Sequence, residues 1–217
     1  MIIEKIACNP LRNAAPLAVL ITAIGVGDFL QSLALRVFGT GRMPSPNILN
    51  LAPIRITENL VIQGASVVTL AVTFVLMAVL FLFINRTKAG RAMVAVAEDK
   101  DAARLMGINV DKIIALTFAI GSALAAVAGL FYGLSYDYIG PYTGAMPGIK
   151  AFVAAVFGGI GSVPGAFVGG ILLGLIESFA KILNLSQFAD AIVFGVLVVV
   201  LVIKPTGLFG KKITEKV

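Results

Sequence analysis

Long apolar stretches with almost no charge constrain this sequence more than any other feature. Three of them reach the roughly 20 residues that a helix needs to cross a hydrocarbon core about 30 Å thick. They are residues 17–37, 66–84 and 113–135, and the second and third contain no charged residue. Because backbone polar groups in lipid must be satisfied within the spanning segment, helices are favoured. The sequence predicts an all-α, polytopic helical bundle embedded in a lipid bilayer.

The composition excludes several classes of function. Of the 217 residues, 59% are apolar and only 13% are charged, unlike a soluble globular domain. There is no histidine, and the single cysteine, Cys8, has no partner for an internal disulfide. The usual zinc, haem and histidine-base chemistries therefore lack their side chains, so we expect no metal, no cofactor and no enzymatic catalysis. The net charge is +6, but the basic residues lie mainly in loops between spans, so no nucleic-acid partner is expected.

The distribution of lysine and arginine predicts the orientation in the membrane. The segment 85–112 contains six basic residues: Arg86, Lys88, Arg91, Lys100, Arg104 and Lys112. The C-terminal tail contains four more: Lys204, Lys211, Lys212 and Lys216. Cytoplasmic loops carry an excess of basic residues, so both regions are predicted to face the cytoplasm. The loops 39–65 and 136–148 carry two basic residues and none, respectively, which places them outside.

A cytoplasmic C-terminal tail requires one further membrane-crossing segment. Residues 164–183 and 188–203 are long and apolar, but these two alone would return the tail to the outside. The apolar stretch 149–160 is too short for an ordinary span and runs into a glycine-rich sequence. Irregular backbone at membrane depth survives where it is buried in protein or lines a cavity. We therefore predict about six crossings, one of them short or broken, with both termini cytoplasmic.

The segment 85–112 is too long for a turn and too charged for a span. Residues 91–106 are predicted to form about four turns of helix, with Asp101 and Arg104 paired at i, i+3 and Gly107 closing the helix in the left-handed conformation. The small Ala102 and Ala103 would expose a shallow face. Such a helix either docks into a groove on a soluble partner or is simply a solvated loop helix, and the residues alone leave both interpretations open.

Several motifs resemble a known family. Asp101-Ala102-Ala103-x-x-x-Gly107 resembles the EAA-x-x-x-G coupling loop of ATP-binding-cassette importer permeases, with Asp replacing Glu and without the proline at the end of the general pattern. The longer stretches GRAMVAVAEDKDAARLMGINVDKIIALTFAIGSALAAVAG, GIKAFVAAVFGGIGSVPGAFVGGILLG and KPTGLFG are similar to the branched-chain amino acid permease family, the H-type subunit more than the M-type. The coupling residues that this resemblance implies are Glu98, Asp101, Ala102, Ala103, Arg104 and Gly107.

The resemblance implies one transmembrane permease domain over residues 1–217, with a cytoplasmic coupling loop at 85–112, in the inner membrane of a prokaryote. The implied partners are a second permease, two cytoplasmic ATP-binding subunits and an external binding protein for leucine, isoleucine and valine. No P-loop is present, so ATP is expected to bind the partner subunits. Family members begin with further membrane helices, so the chain is expected to be truncated at its N-terminus.

The glycine-rich segment after residue 157 has two interpretations. Glycines recur every four residues at 161, 165 and 169, which permits close helix crossing within the bundle or against a paired permease. Alternatively, the break directs backbone groups at a substrate in the pathway. The residues concerned are Gly158, Gly159, Gly161, Pro164, Gly165 and Gly169.

Charged residues within spans are costly and need compensation. Glu177 and Lys181 are four residues apart and are predicted to pair on one helix face, while Asp190 is predicted to cap the final helix. Asp28 lies in the middle of the first span, and it either lines the pathway or contacts the N-terminal helices that are expected to be missing from this chain.

Three functional alternatives remain open at this stage. One is a permease of the same family for another small solute, such as urea or a short amide. Another is a secondary carrier or channel, although the sequence shows no clear inverted repeat. The third is a permease fragment that occupies an assembly without transporting.

Overall fold

The computed structural model of the protein describes residues 16–41, 43–45, 54–57, 60–62, 64–136 and 138–210. These residues form two compact units. The first falls within Met1–Val75 and Leu82–Gly144, and the second within Leu76–Phe81 and Ala145–Val217. The prediction of a single permease domain stays a prediction. The basic tail residues Lys211, Lys212 and Lys216, and Cys8, lie outside the described residues.

The helices follow the apolar pattern closely. In chain order they are α1 Pro16–Phe38, α2 Gly64–Arg86, α3 Lys88–Glu98, α4 Lys100–Leu105, α5 Val110–Ser135, α6 Ala145–Gly158, α7 Val163–Ile182 and α8 Ala189–Ile203. A 3-10 turn, Ser186–Phe188, precedes α8. Within the described residues, five helical segments are long and apolar enough to cross a membrane, and α6 is a shorter apolar helix. The prediction of an all-α membrane fold with one short segment is confirmed.

Short strands occur in the two loops that were predicted to be external. They are β1 Met43–Pro44, β2 Ile54–Thr57, β3 Leu60–Ile62 and β4 Tyr138–Ile139. β1 pairs antiparallel with β4, and β2 pairs antiparallel with β3. The hydroxyl group of Ser45 donates a hydrogen bond to the Gly133 carbonyl oxygen near the end of α5. The two loops of the first unit are therefore tied together, which the sequence did not predict because strands of two residues carry no periodic signal.

The largest buried cluster among the described residues lies in the second unit. Val153 and Phe157 on α6, Leu173 on α7 and Val193 on α8 are each at most 5% exposed. Leu208, beyond the end of α8, packs against this cluster. In contrast, no residue of the spanning windows of α1, α2 and α5 is buried by the described parts of the chain. Their apolar surfaces remain available to lipid or to other helices.

Candidate functional site

A sharp turn joins the α2 span to the charged segment that follows it. The Thr87 hydroxyl accepts a 3.0 Å hydrogen bond from the Gly90 amide and so caps α3, while the same hydroxyl donates to the Phe83 carbonyl oxygen at 2.7 Å. Gly90 is buried against the end of α2, and a Cβ at this position would collide with the backbone of Ile84. Only glycine allows this close approach. Neither residue was predicted from the sequence, although threonine at a helix start is a recognisable capping signal.

The charged segment contains two helices where one was predicted. Asp99 is extended, with φ −152° and ψ 112°, and separates α3 from α4. Its carboxylate accepts hydrogen bonds from the amides of Asp101 and Ala102 at 2.8 and 3.0 Å. The prediction of one continuous helix over residues 91–106 is therefore wrong. An aspartate that caps free amide groups competes with helix continuation at its own position, and this local preference prevails at Asp99.

The end of α4 is closed as predicted. Gly107 is left-handed, with φ 80°, and its amide donates to the Arg104 carbonyl oxygen at 3.0 Å. The Ile108 amide donates to the Ala103 carbonyl oxygen, also at 3.0 Å. This pair of hydrogen bonds is a Schellman motif, which satisfies the last carbonyl groups of the helix. Asn109 then caps α5 by accepting a hydrogen bond from the Lys112 amide.

A small apolar cluster fixes α3 and α4 against the start of α5. Val96, Ala103 and Val110 are buried, at 6%, 3% and 3% exposure, and Ile108, Ile113 and Ile114 pack against them. Ala103 is therefore an inward residue, and the prediction that it belongs to an exposed face is wrong. Ala102 is exposed as predicted. The helical period explains the difference, because residues 102 and 103 point about 100° apart around the axis.

The exposed side of this segment is apolar as well as charged. Leu105 is 90% exposed and Met106 is 83% exposed. Glu98, Asp101 and Arg104 are also exposed, and Arg104 pairs with Asp101 at 3.4 Å as predicted. Two large apolar side chains at the tip of a buttressed helix form a surface suited to burial by a partner.

A break separates α6 from α7, as the glycine-rich sequence predicted. α6 ends at Gly158, and α7 begins at Val163 with Pro164 in its first turn. The Ser162 hydroxyl caps α7 by accepting a 3.1 Å hydrogen bond from the Gly165 amide. Gly161 lies in the break, and a Cβ there would meet no atom within 4 Å.

The glycines on either side of the break bring the two helices into close contact. Gly158, Gly165 and Gly169 are buried. A Cβ at Gly165 would lie 2.6 Å from the Gly158 carbonyl oxygen, and one at Gly169 would collide with the Ala154 carbonyl oxygen. These glycines therefore serve helix packing within the second unit. Whether the break also directs backbone groups at a substrate stays a prediction.

Four charged side chains form a network across three helices of the second unit. The Lys150 ammonium group on α6 lies 2.8 Å from the Glu177 carboxylate on α7 and 2.7 Å from the Asp190 carboxylate on α8. Lys181 pairs with Glu177 at 2.7 Å, as the i, i+4 spacing predicted. The prediction that Asp190 caps α8 is wrong, because no side chain caps that helix. Lys150 is far away in sequence, which explains why sequence spacing did not reveal the two further pairs.

Asp28 lies on the exposed surface of α1. Among the described residues, no hydrogen bond or ion pair of its side chain is seen. Both sequence-based interpretations, a pathway residue and a contact to further helices, therefore stay predictions.

Comparison with known proteins identifies the family of this chain. Residues 13–202 match the family model described as branched-chain amino acid transport system / permease component. The chain belongs to this family. It is therefore a multi-pass membrane transport permease rather than an enzyme.

Individual relatives agree with this assignment. The chain is 43% identical over 221 residues to the high-affinity branched-chain amino acid transport system permease protein LivH of Escherichia coli (strain K12), covering 99% of this chain and 71% of that protein. It is 44% identical over 218 residues to BraD of Pseudomonas aeruginosa, with the same coverage. A shorter match, 33% identical over 126 residues, covers 55% of this chain and 34% of the xylose transport system permease protein XylH of Haemophilus influenzae. No solved structure matches the chain significantly.

Proposed function

We propose that this chain is a permease subunit of an ATP-driven importer that moves leucine, isoleucine and valine across the inner membrane of a prokaryote. Two of its relatives are named as high-affinity branched-chain amino acid permeases and match over 99% of the chain. The proposed partners are two cytoplasmic ATP-binding subunits, a second permease and an external amino-acid-binding protein. ATP binds the cytoplasmic partners, and this chain binds none.

The observation that carries this proposal is the buttressed surface at the tip of α4. Leu105 and Met106 are almost fully exposed, and a capped and packed pair of short helices holds them directly between the α2 and α5 spans. Such a surface suits docking to an ATP-binding subunit, which would cover it. Closure of the ATP-binding subunits would then push on α4, and the small apolar cluster that contains Ala103 would transmit the movement to α5.

The basic residues of the same segment support a cytoplasmic placement. Six lysine and arginine residues lie within α3 and α4 or beside them, and the positive-inside rule expects such a cluster on the cytoplasmic side. The unburied apolar surfaces of α1, α2 and α5 provide room for a second permease and for lipid.

Substrate competition tests the proposed substrate class. Proteoliposomes that contain the complete complex with its binding protein would be supplied with radiolabelled leucine and an excess of unlabelled competitor. Isoleucine and valine are expected to abolish uptake, whereas urea, acetamide and xylose leave it unchanged. In parallel vesicles, labelled urea, acetamide or xylose would replace leucine. Uptake of urea or acetamide but not of leucine would favour the alternative of a permease for small amides, and uptake of xylose alone would indicate a sugar permease.

A further inference from the structure

The first seven residues after α8 contact the end of α6. Residues 204–210, here called the terminal loop, turn back onto the break between α6 and α7. The Leu208 amide donates a 3.0 Å hydrogen bond to the Phe157 carbonyl oxygen, and the Phe209 amide donates a 2.9 Å hydrogen bond to the Gly158 carbonyl oxygen. The terminal loop thus binds the last two residues of α6 through main-chain groups.

These two hydrogen bonds complete the end of α6. The carbonyl oxygens of Ala155 and Val156 accept from the Gly159 amide, so the bonds from the terminal loop account for the remaining two carbonyl groups. Phe157 and Gly158 are buried, and a buried carbonyl group without a hydrogen-bond partner destabilises the folded state. Displacing the loop would therefore leave two buried acceptors unsatisfied.

Glycines make this close approach possible. Gly207 is buried and left-handed, with φ 75°, and a Cβ there would lie 2.6 Å from the Val156 carbonyl oxygen. Gly159 faces Gly210 in the same way, since a Cβ at Gly159 would collide with the Gly210 amide. At both contacts, the terminal loop therefore approaches α6 so closely that only glycine fits.

Two side chains hold the terminal loop from within. The Lys204 ammonium group donates a 2.7 Å hydrogen bond to the Leu208 carbonyl oxygen. Leu208 packs against the buried cluster that α6, α7 and α8 share. Because the loop continues directly from α8, its seat links the end of α8 to the end of α6.

We propose that the terminal loop is a positioning element for transport: by binding the Phe157 and Gly158 carbonyl groups it makes α6, α7 and α8 move as one body. The network around Lys150 already joins the same three helices near Glu177 and Asp190. The terminal loop would add a second attachment, at the break. Only the expected effect on transport rests on the proposed function, because the contacts between the terminal loop and α6 do not depend on any substrate.

The test combines a probe of the seat with a transport readout. Leu208→Cys, in a chain whose single cysteine is replaced by Cys8→Ser, would be labelled with a water-soluble maleimide in the assembled complex. Adding Gly207→Ala is expected to raise the labelling rate roughly tenfold, the factor that corresponds to the usual strain of a left-handed residue other than glycine. In a chain that retains Leu208, Gly207→Ala is expected to lower leucine uptake per ATP hydrolysed.

Two controls separate seating from backbone strain and from loss of glycine. Gly39 has a similar φ of 78° but no atom within 4 Å of an added Cβ, so Gly39→Ala introduces the strain without the collision. Gly195 on α8 also has open space, so Gly195→Ala reports on substitution in the neighbouring helix. Neither control is expected to change the labelling of Leu208→Cys.

The outcomes decide the proposal separately from the transport function. Equal labelling rates with and without Gly207→Ala would overturn the seat, and faster labelling with unchanged uptake per ATP would overturn the positioning role. If Gly207→Ala prevents assembly, Lys204→Met is used in its place. A smaller rise in the labelling rate of Leu208→Cys is then expected. A labelling rate equal to that without Lys204→Met would overturn the proposal. If the wild-type complex takes up no leucine, the proposed function fails, whereas the labelling rates still decide whether the loop is seated.

Discussion

Lys150 on α6 donates a 2.8 Å hydrogen bond to Glu177 on α7, although the two residues are 27 positions apart in the chain. The same ammonium group contacts Asp190 on α8, so one lysine pairs with two carboxylates from two helices. Charged groups in a membrane protein are costly unless they are paired. Lys150 is therefore the centre of the charge network rather than an isolated residue at a helix end.

Replacing Lys150 should destabilise the second unit more than replacing Lys181. Lys150→Met leaves the Glu177 and Asp190 carboxylates without their shared partner, whereas Lys181→Met removes a side chain that is 56% exposed and leaves Glu177 paired with Lys150. We expect a clearly lower Tm for Lys150→Met in detergent and a small change for Lys181→Met. The triple change Lys150→Met with Glu177→Gln and Asp190→Asn should recover part of the loss. Equal Tm values for the two single variants would contradict the assignment of Lys150 as the centre.

The adjacent glycines 169 and 170 give a matched test of the α6–α7 contact. A Cβ at Gly169 would collide with the Ala154 carbonyl oxygen, whereas one at Gly170 would meet only the Ala154 Cβ at an ordinary 3.9 Å. Gly169→Ala should therefore lower the free energy of unfolding by about 1–3 kcal/mol, the usual cost of overpacking. Gly170→Ala should change it little. Thermal unfolding in detergent measures both, and an equal loss in the two variants would show that the helices pack differently.

Asp99 is expected to hold α4 in place through its capping carboxylate. Asp99→Ala removes the acceptor for the Asp101 and Ala102 amides and should destabilise α4 by about 1 kcal/mol, whereas Asp99→Asn retains a capping oxygen. Hydrogen exchange of the α4 amides, followed by mass spectrometry, should be faster only in Asp99→Ala. Asp101→Ala serves as the control, because its exposed 3.4 Å pair with Arg104 contributes little. Similar exchange in all three variants would remove the capping role.

Gly107 tests coupling between ATP hydrolysis and transport. Valine at this left-handed position is strongly disfavoured and should disrupt the end of α4, where the Gly107 and Ile108 amides donate their hydrogen bonds. We expect Gly107→Val to lower leucine uptake while ATP hydrolysis persists. Gly107→Asn should retain most uptake, because asparagine tolerates this conformation. Uptake at wild-type level in Gly107→Val would count against a coupling role for α4.

The apolar spans were predictable because each long helix carries a continuous apolar run, and bounds such as Val163–Ile182 differ from the sequence-based ones by only a residue or so. The break after Gly158 and the closure at Gly107 were predictable for the same local reason, since glycine marks positions that other residues avoid. The interruption at Asp99 was missed because a capping residue inside an alanine-rich run looks like an ordinary helical aspartate. The contacts of Lys150 and of the terminal loop were out of reach, because pairing between distant residues leaves no spacing pattern in one sequence.

The most direct test of the proposed function is leucine accumulation by proteoliposomes that contain the complete complex with this chain. ATP would be supplied on the side of the ATP-binding subunits and binding protein on the other, with a non-hydrolysable ATP analogue as the control. We expect accumulation of leucine against its gradient with ATP and none with the analogue. Equal leucine entry with and without ATP would indicate a channel or secondary carrier, and no entry in either condition would indicate a chain that assembles without transporting.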